Sequence, residues 1–179
     1  MNKKTKAIAQ NELAFPAFLL FICVLSYGLL SPWMKFFHDE YSILWFYHRA
    51  NDVTLFFEGN RPFLAHIYKP LLNLFGANSY LWSIFGVLTR WFHALCLFWL
   101  VREIWPDDQP LAIIASLLCT VYPAFQAQFA SMMFSILFLL FSFFFLFSLI
   151  YSKSSKRKQK SNFSNHHISF VIMCQFNYN

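Results

Sequence analysis

The residues best suited to chemistry are two adjacent carboxylates, Asp39 and Glu40, in the segment FFHDEY that follows the first long apolar run. A carboxylate that lies at a membrane surface among aromatic side chains is partly desolvated, which suits it to act as a general base. The pair also has a structural interpretation, because acidic residues mark where a chain leaves the bilayer and cap the following helix. Spacing alone favours the structural interpretation, with Asp39 as the N-cap of a helix that begins near Glu40.

Arg90 and His93 form a second candidate group, three residues apart and therefore on one face of a predicted helix. An arginine at membrane depth costs roughly 2.5–3.5 kcal/mol on insertion scales, so it usually faces a bundle interior or a wet cavity. The planar guanidinium of Arg90 matches phosphate oxygens and could hold a phosphate there, with His93 beside it. Pairing with Asp39, Glu40 or Glu58, or snorkelling towards the interface, explains Arg90 equally well.

Arg49 and Arg61 lie in the polar stretch after the first apolar run and are candidates for binding a phosphate or a sugar. Basic residues in such a stretch also simply contact lipid headgroups. No cofactor is certain, although His38 beside Asp39 is compatible with a divalent metal ion. Since no second pair of ligands stands at a useful spacing, we predict no metal site. Phosphate-binding, dinucleotide-binding and zinc-protease motifs are absent from the sequence.

The composition predicts an integral membrane protein. Of the 179 residues, 58% are hydrophobic and only 12% are charged, whereas a soluble domain has about a quarter of charged residues. The net charge of +6 is concentrated at the two ends of the chain. It therefore indicates membrane orientation, and we expect no nucleic-acid partner.

Four apolar runs predict an all-α, polytopic bundle with about four transmembrane helices, at residues 13–33, 80–101, 111–122 and 129–151. The third run is short for a hydrocarbon core of about 30 Å, so three spans with a re-entrant segment are the alternative. Basic clusters before the first run and after the last predict a multi-pass protein of the plasma (inner) membrane with both termini in the cytoplasm.

The predicted spans divide the chain into three parts. Residues 1–12 are a cytoplasmic amino terminus, and residues 13–151 form the membrane domain, whose outer loop, 34–79, contains juxtamembrane helices. Residues 152–179 are polar and basic. They are expected to form a disordered cytoplasmic tail, or else to be out-of-frame sequence appended to a truncated gene.

A first span followed by an acidic pair at the start of a long outer loop resembles the C-type, multi-spanning glycosyltransferases. That superfamily includes the protein O-mannosyltransferases and the aminoarabinose transferases. The resemblance covers roughly residues 13–151 and is carried by HDEYSILWFYHR (38–49), EGNRPFLAHIY (58–68), IWP (104–106) and VYPAFQ (121–126).

The resemblance implies transfer of a sugar from a polyprenyl-phosphate donor to an acceptor on the outer side of the membrane. By position, Asp39 is the expected general base and Glu40 the second choice. Arg90 or Arg61 would stabilise the negative charge of the leaving phosphate. This assignment comes from the charge and position of the two residues and not from a family motif.

Members of that superfamily are usually several times longer, so we expect this chain alone to be an inactive fragment of such a transferase. The alternative is a non-enzymatic, small membrane subunit that packs with a larger membrane protein partner. Besides the lipid-linked sugar, membrane lipid is an expected partner in either case.

Overall fold

The computed structural model describes residues 14–121 and 131–176, with side chains up to residue 156, and the regular elements in these ranges are helices. The predicted all-α fold is confirmed. The helices are α1 (Ala14–Trp33), α2 (Asp39–Trp45), α3 (Thr54–Phe57), α4 (Pro62–Phe75), α5 (Ser79–Ile104), α6 (Gln109–Val121) and α7 (Ser131–Phe176).

Three stretches of the described chain are long and apolar enough to cross a membrane: Ala14–Trp33, Ser79–Ile104 and Ser131–Lys156. The chain is accordingly a membrane protein. Helix α6 has 13 residues, about 20 Å at 1.5 Å per residue, and is shorter than a typical hydrocarbon core. Residue 122 of the predicted third span and residues 129–130 of the predicted fourth lie outside the described ranges. Four crossings, cytoplasmic termini and the choice of membrane therefore stay predictions.

Helix α5 lies at the centre of the bundle and packs against α1, α6 and α7. In its most apolar stretch 44% of the residues are buried, against 17% in α1 and in α7. Helix α1 runs antiparallel to α5, because the rings of Phe15 and Phe98 are 4.4 Å apart at one end while Tyr27 meets Arg90 further along. The indole Nε1 of Trp91 also donates to the carbonyl oxygen of Pro16 at 2.9 Å.

Helix α7 runs parallel to α5. Near its start Ser131 lies against Gly86, and near the end of its apolar stretch Lys156 Nζ is 3.0 Å from Glu103 Oε1. The first residues of α1 and the basic end of this stretch are thus at the same end of the bundle. The opposite end, where α2, α3 and α4 lie, is called the loop end below.

The loop helices pack on the loop end of α5 and α7 through a cluster of buried aromatic and aliphatic side chains. Tyr68 of α4 stacks on Phe57 with ring centroids 4.8 Å apart and lies 6.4 Å from the Trp82 ring of α5. Trp82 is fully buried, and its Nε1 donates to the Gly76 carbonyl oxygen at 3.0 Å. Met132 brings α7 into the same cluster.

Local sequence signals explain where these helices begin and end. Asn78 is the N-cap of α5, since its Oδ1 accepts from the amides of Tyr80 and Leu81 at 3.1 and 3.3 Å. Pro62 occupies the first position of α4, where a missing amide hydrogen costs nothing. Gly76 ends α4 with a positive φ of 55°, a conformation that favours glycine.

The backbone after residue 151 differs from its predicted disorder. In the structure α7 continues as a helix to Phe176, through the basic segment. The segment carries the same positive charge whether it is helical or disordered. The prediction that the carboxyl terminus lies in the cytoplasm depends only on that charge and is therefore unaffected.

We expect Trp82→Ala to lower the free energy of unfolding by about 3–5 kcal/mol, because it removes a fully buried indole from the cluster that joins α4, α5 and α7. Trp33→Ala is the matched control, since the Trp33 side chain is exposed. Titration of the detergent-solubilised protein with dodecyl sulfate, followed by circular dichroism, measures both variants. Equal loss in the two would contradict the packing described for Trp82.

Candidate functional site

Glu40 lies buried at the junction of α2 and α7, where its carboxylate accepts three backbone hydrogen bonds. Oε1 accepts from the amides of Met132 and Met133 at 2.6 and 3.3 Å, and Oε2 accepts from the amide of Phe37 at 2.9 Å. Burial raises the pKa of Glu40 above its ordinary value, although the amide hydrogen bonds act in the opposite direction. The carboxylate that sequence reasoning named second for catalysis is therefore in a structural contact that joins two helices.

Asp39 has the opposite environment from its neighbour. Its side chain is 59% exposed, and its Oδ1 is 3.9 Å from His38 Nδ1. Helix α2 begins at Asp39 itself and has no side-chain cap, so the predicted N-cap role of Asp39 is wrong. Glu40 makes only the reciprocal contact of a capping box, because its carboxylate reaches back and accepts from the Phe37 amide.

Asp39 and Arg61 line one open cavity of about 750 Å³ between the loop helices and α7. We call it the Asp39 cavity. Asn60 adds a third polar side chain, while most of the wall is apolar, as at Leu137 and Leu140 of α7. A cavity with a carboxylate, a cation and an apolar wall fits an amphiphilic molecule with a polar head.

Arg90 lies in a different place, between α1, α5 and α7. Its guanidinium carbon is 3.8 Å from the centroid of the Tyr27 ring and 4.7 Å from that of Phe138. It lines a second cavity, of about 30 Å³, which we call the Arg90 cavity. Phe134 lines both cavities and so stands between them.

The other two candidates line neither cavity. His93 is buried against α7, with its ring stacked on Phe145 at 5.0 Å between centroids. Arg49 is exposed on the short π-helix Phe46–Ala50 that follows α2. Of the predicted binding residues, only Arg61 shares a cavity with Asp39 in the part of the chain that the structure describes.

Sequence reasoning missed two polar residues of the Asp39 cavity, Asn60 and Tyr68. Asn60 directly precedes Arg61 in the EGNRP turn. Its position beside a candidate binding residue could have identified it from the sequence. Tyr68 lies two helical turns after Arg61 on the same face of α4, a relation that becomes informative only once α4 is known to face α7. Burial and the neighbouring Glu40 charge raise the pKa of Tyr68 well above its ordinary value, so its hydroxyl stays protonated.

No group of three or more histidine, cysteine or acidic side chains that could hold a metal ion occurs within the described ranges. Comparison with family models, curated proteins and solved structures finds no match to this chain. The arrangement of the residues themselves is thus the basis for any functional assignment.

We expect Glu40→Ala to lower the free energy of unfolding by more than about 1–3 kcal/mol. It removes the acceptor of three backbone amides at a buried junction, and a single buried donor left without a partner costs about that much. Asp39→Ala, the adjacent and exposed control, should change it by less than about 0.5 kcal/mol. Chemical unfolding in detergent measures the free energy of unfolding of both variants. Equal losses would contradict the structural role described for Glu40 at the junction of α2 and α7.

Stability should also depend on pH through Glu40. Because burial raises its folded-state pKa above the ordinary value of 4.5, the folded protein binds this proton more tightly than the unfolded chain does. The stability linked to Glu40 is thus fully present below about pH 4.5 and is lost as the pH rises through the raised pKa.

Glu40→Gln is the reference for this measurement because glutamine does not titrate. The free energy of unfolding of the native chain, minus that of Glu40→Gln, should decrease as the pH is raised from about 4 to 8. A difference that grows with pH would show that the amide hydrogen bonds outweigh burial.

Proposed function

We propose that this chain contributes the donor site and the general base of a membrane glycosyltransferase that uses polyprenyl-phosphate-linked sugars. The observation that supports this proposal is the Asp39 cavity, in which a carboxylate and a guanidinium share one space beside the apolar surface of α7. The isoprenoid chain and the phosphate of such a donor each have a chemical counterpart there.

The isoprenoid chain would lie against the α7 side of the cavity, where Phe134, Leu137 and Leu140 supply an apolar surface. Because this part of α7 belongs to a stretch suited to cross the membrane, lipid can enter from the side. Arg61 would face the phosphate, whose oxygens its planar guanidinium can bind in a bidentate manner.

Asp39 would act on the acceptor. Its carboxylate takes the proton of the acceptor hydroxyl while the hydroxyl oxygen attacks C1 of the sugar. The bond between C1 and the phosphate oxygen breaks, C1 inverts, and the phosphate leaves with the bonding electrons. Arg61 stabilises the negative charge that develops on the leaving phosphate. The exposure of Asp39 gives an acceptor from the aqueous side, proposed to be the outer side, access to this base.

Donor binding tests the proposal without requiring turnover. In lipid nanodiscs the chain should bind a polyprenyl phosphate at least about tenfold more tightly than the matching polyprenol, because a charge-assisted contact to phosphate is worth about 1.5–3 kcal/mol. Arg61→Gln should remove most of this preference. Lys69→Gln is the control, since Lys69 is an exposed cation of α4 that does not line the cavity.

Asp39→Asn should leave donor binding intact and lower sugar transfer by about 10²–10⁴-fold, the range expected for a general base. Because the chain alone is expected to be inactive, transfer is measured with a radiolabelled polyprenyl-phosphate sugar in membranes that contain the chain together with the remaining part of such a transferase. Asp107→Asn, in the exposed turn between α5 and α6, is the matched control. A rate unchanged in Asp39→Asn would contradict the assignment.

The non-enzymatic alternative has its own structural support. Phe144, Phe147 and Tyr151 of α7 are each more than 60% exposed and present a large aromatic surface. This surface suits lipid or a partner helix. Equal binding of the phosphate and the alcohol, with Arg61→Gln without effect, would favour a subunit that packs with a larger membrane protein.

A further inference from the structure

Positive charge is concentrated at the end of the bundle opposite the loop end. Five lysine and arginine residues follow Tyr151 within nine positions, and the chain from residue 152 to residue 179 contains no acidic residue. The five are Lys153, Lys156, Arg157, Lys158 and Lys160. A basic cluster directly after an apolar span attracts the anionic lipids of a membrane surface.

Lys156 is engaged with α5 and fixes the position of the neighbouring cations. Its Nζ donates to the Glu103 carbonyl oxygen at 2.6 Å and is 3.0 Å from Glu103 Oε1. Lys153, one helical turn earlier, is exposed and forms no ion pair with any residue that the structure describes. Arg102 of α5 is exposed too, with its guanidinium carbon 5.4 Å from the centroid of the Phe98 ring. Lys153 and Arg102 are therefore accessible cations on two helices that Lys156 holds together.

Exposed aromatic side chains accompany both accessible cations. Tyr151 is 77% exposed and Trp105 is 52% exposed, and these two residue types are enriched where a bilayer meets water. Lys153 lies two residues beyond Tyr151, about 3 Å further along α7. Trp105 directly follows α5, three residues after Arg102. We call these four residues, Arg102, Trp105, Tyr151 and Lys153, the Lys153 surface.

The side of α7 below Lys153 offers an apolar surface of matching length. Phe143 and Ile150 are 46% and 59% exposed, and they precede Lys153 by ten and three residues on the same side of the helix. Ten residues of helix extend about 15 Å, which is half of a hydrocarbon core of about 30 Å and thus the depth of one leaflet. An acyl chain that follows this side of α7 therefore reaches the level of the headgroups at Lys153.

The acidic side chains near the Lys153 surface do not cancel its charge. At the end of α5 and in the following turn there are three, Glu103, Asp107 and Asp108, against six cations, which are Arg102 and the five that follow Tyr151. Glu103 is paired with Lys156, and Asp108 Oδ1 accepts from the amide of Leu111 at 3.1 Å. The surface is therefore complementary in charge to an anion.

We propose that the Lys153 surface binds an anionic phospholipid of the surrounding bilayer. Lys153 and Arg102 contact the phosphate headgroup, and an acyl chain follows Ile150 and Phe143 into the leaflet. A soluble anion would satisfy the cations alone, whereas a lipid accounts for the exposed apolar side chains as well. The site does not depend on the proposed transferase chemistry, because it lies at the opposite end of the bundle from the Asp39 cavity.

Native mass spectrometry of the full chain in a mild detergent tests this site, with phosphatidylglycerol and phosphatidylcholine of identical acyl chains as the probes. The Kd for the first phosphatidylglycerol should be at least about fivefold lower than that for phosphatidylcholine, the factor expected from one cation near an anionic headgroup. Replacing both accessible cations, Arg102→Gln together with Lys153→Gln, should remove most of this difference. Lys156 is left unchanged, because its contact with Glu103 joins α5 and α7.

The matched control is Lys35→Gln together with Lys69→Gln, which changes the net charge equally by replacing two exposed cations at the loop end. It should keep the full preference for phosphatidylglycerol. All four positions are exposed, so both variants should fold, which circular dichroism checks. Equal Kd values for the two lipids in the native chain would overturn the proposal. A preference that persists in the Arg102→Gln and Lys153→Gln protein, or that is lost equally in the control, would overturn it as well.

Discussion

The carboxylate of Glu40 connects two parts of the chain that are far apart in sequence. Its two oxygens fix the segment before α2 and the first described turn of α7 to a single point. Burying that carboxylate is costly, and three amide hydrogen bonds offset the cost. This contact acts together with the buried cluster that packs the loop helices on α5 and α7. It sets where α2 lies, and it also places the neighbouring Asp39 at the edge of a cavity whose far wall is α7.

Arg61 and Arg90, the cations that line the two cavities, lie at different places in the bundle because different helices position them. Arg61 stands at the start of α4, at the loop end, whereas Arg90 lies deep between α1, α5 and α7. Phe134 of α7 contributes to both cavities and forms the boundary between them. The bundle thus keeps one cation in an open cavity at the loop end, and one inside, against the rings of Tyr27 and Phe138.

Hydropathy was sufficient to predict the fold class, because a largely apolar stretch of 26 residues such as α5 leaves few alternatives to a transmembrane helix. Hydropathy could not decide whether α6 crosses the membrane, because its 13 described residues are fewer than a full crossing needs. The sequence shows that the acidic pair follows the first apolar run, but the roles of its two members depend on tertiary contacts. Successive residues of a helix point about 100° apart, so Glu40 enters the α7 junction while Asp39 faces the solvent. No local pattern in FFHDEY contains that information, since Met132 lies 92 residues away.

The length of α5 has a consequence for the surrounding lipid. Its 26 residues extend about 39 Å, beyond the thickness of an average hydrocarbon core. Because α1 is fastened to α5 by the Trp91 and Phe15 contacts, the two helices must tilt together. Acyl-chain length therefore becomes a variable that favours one tilt of the whole protein over another.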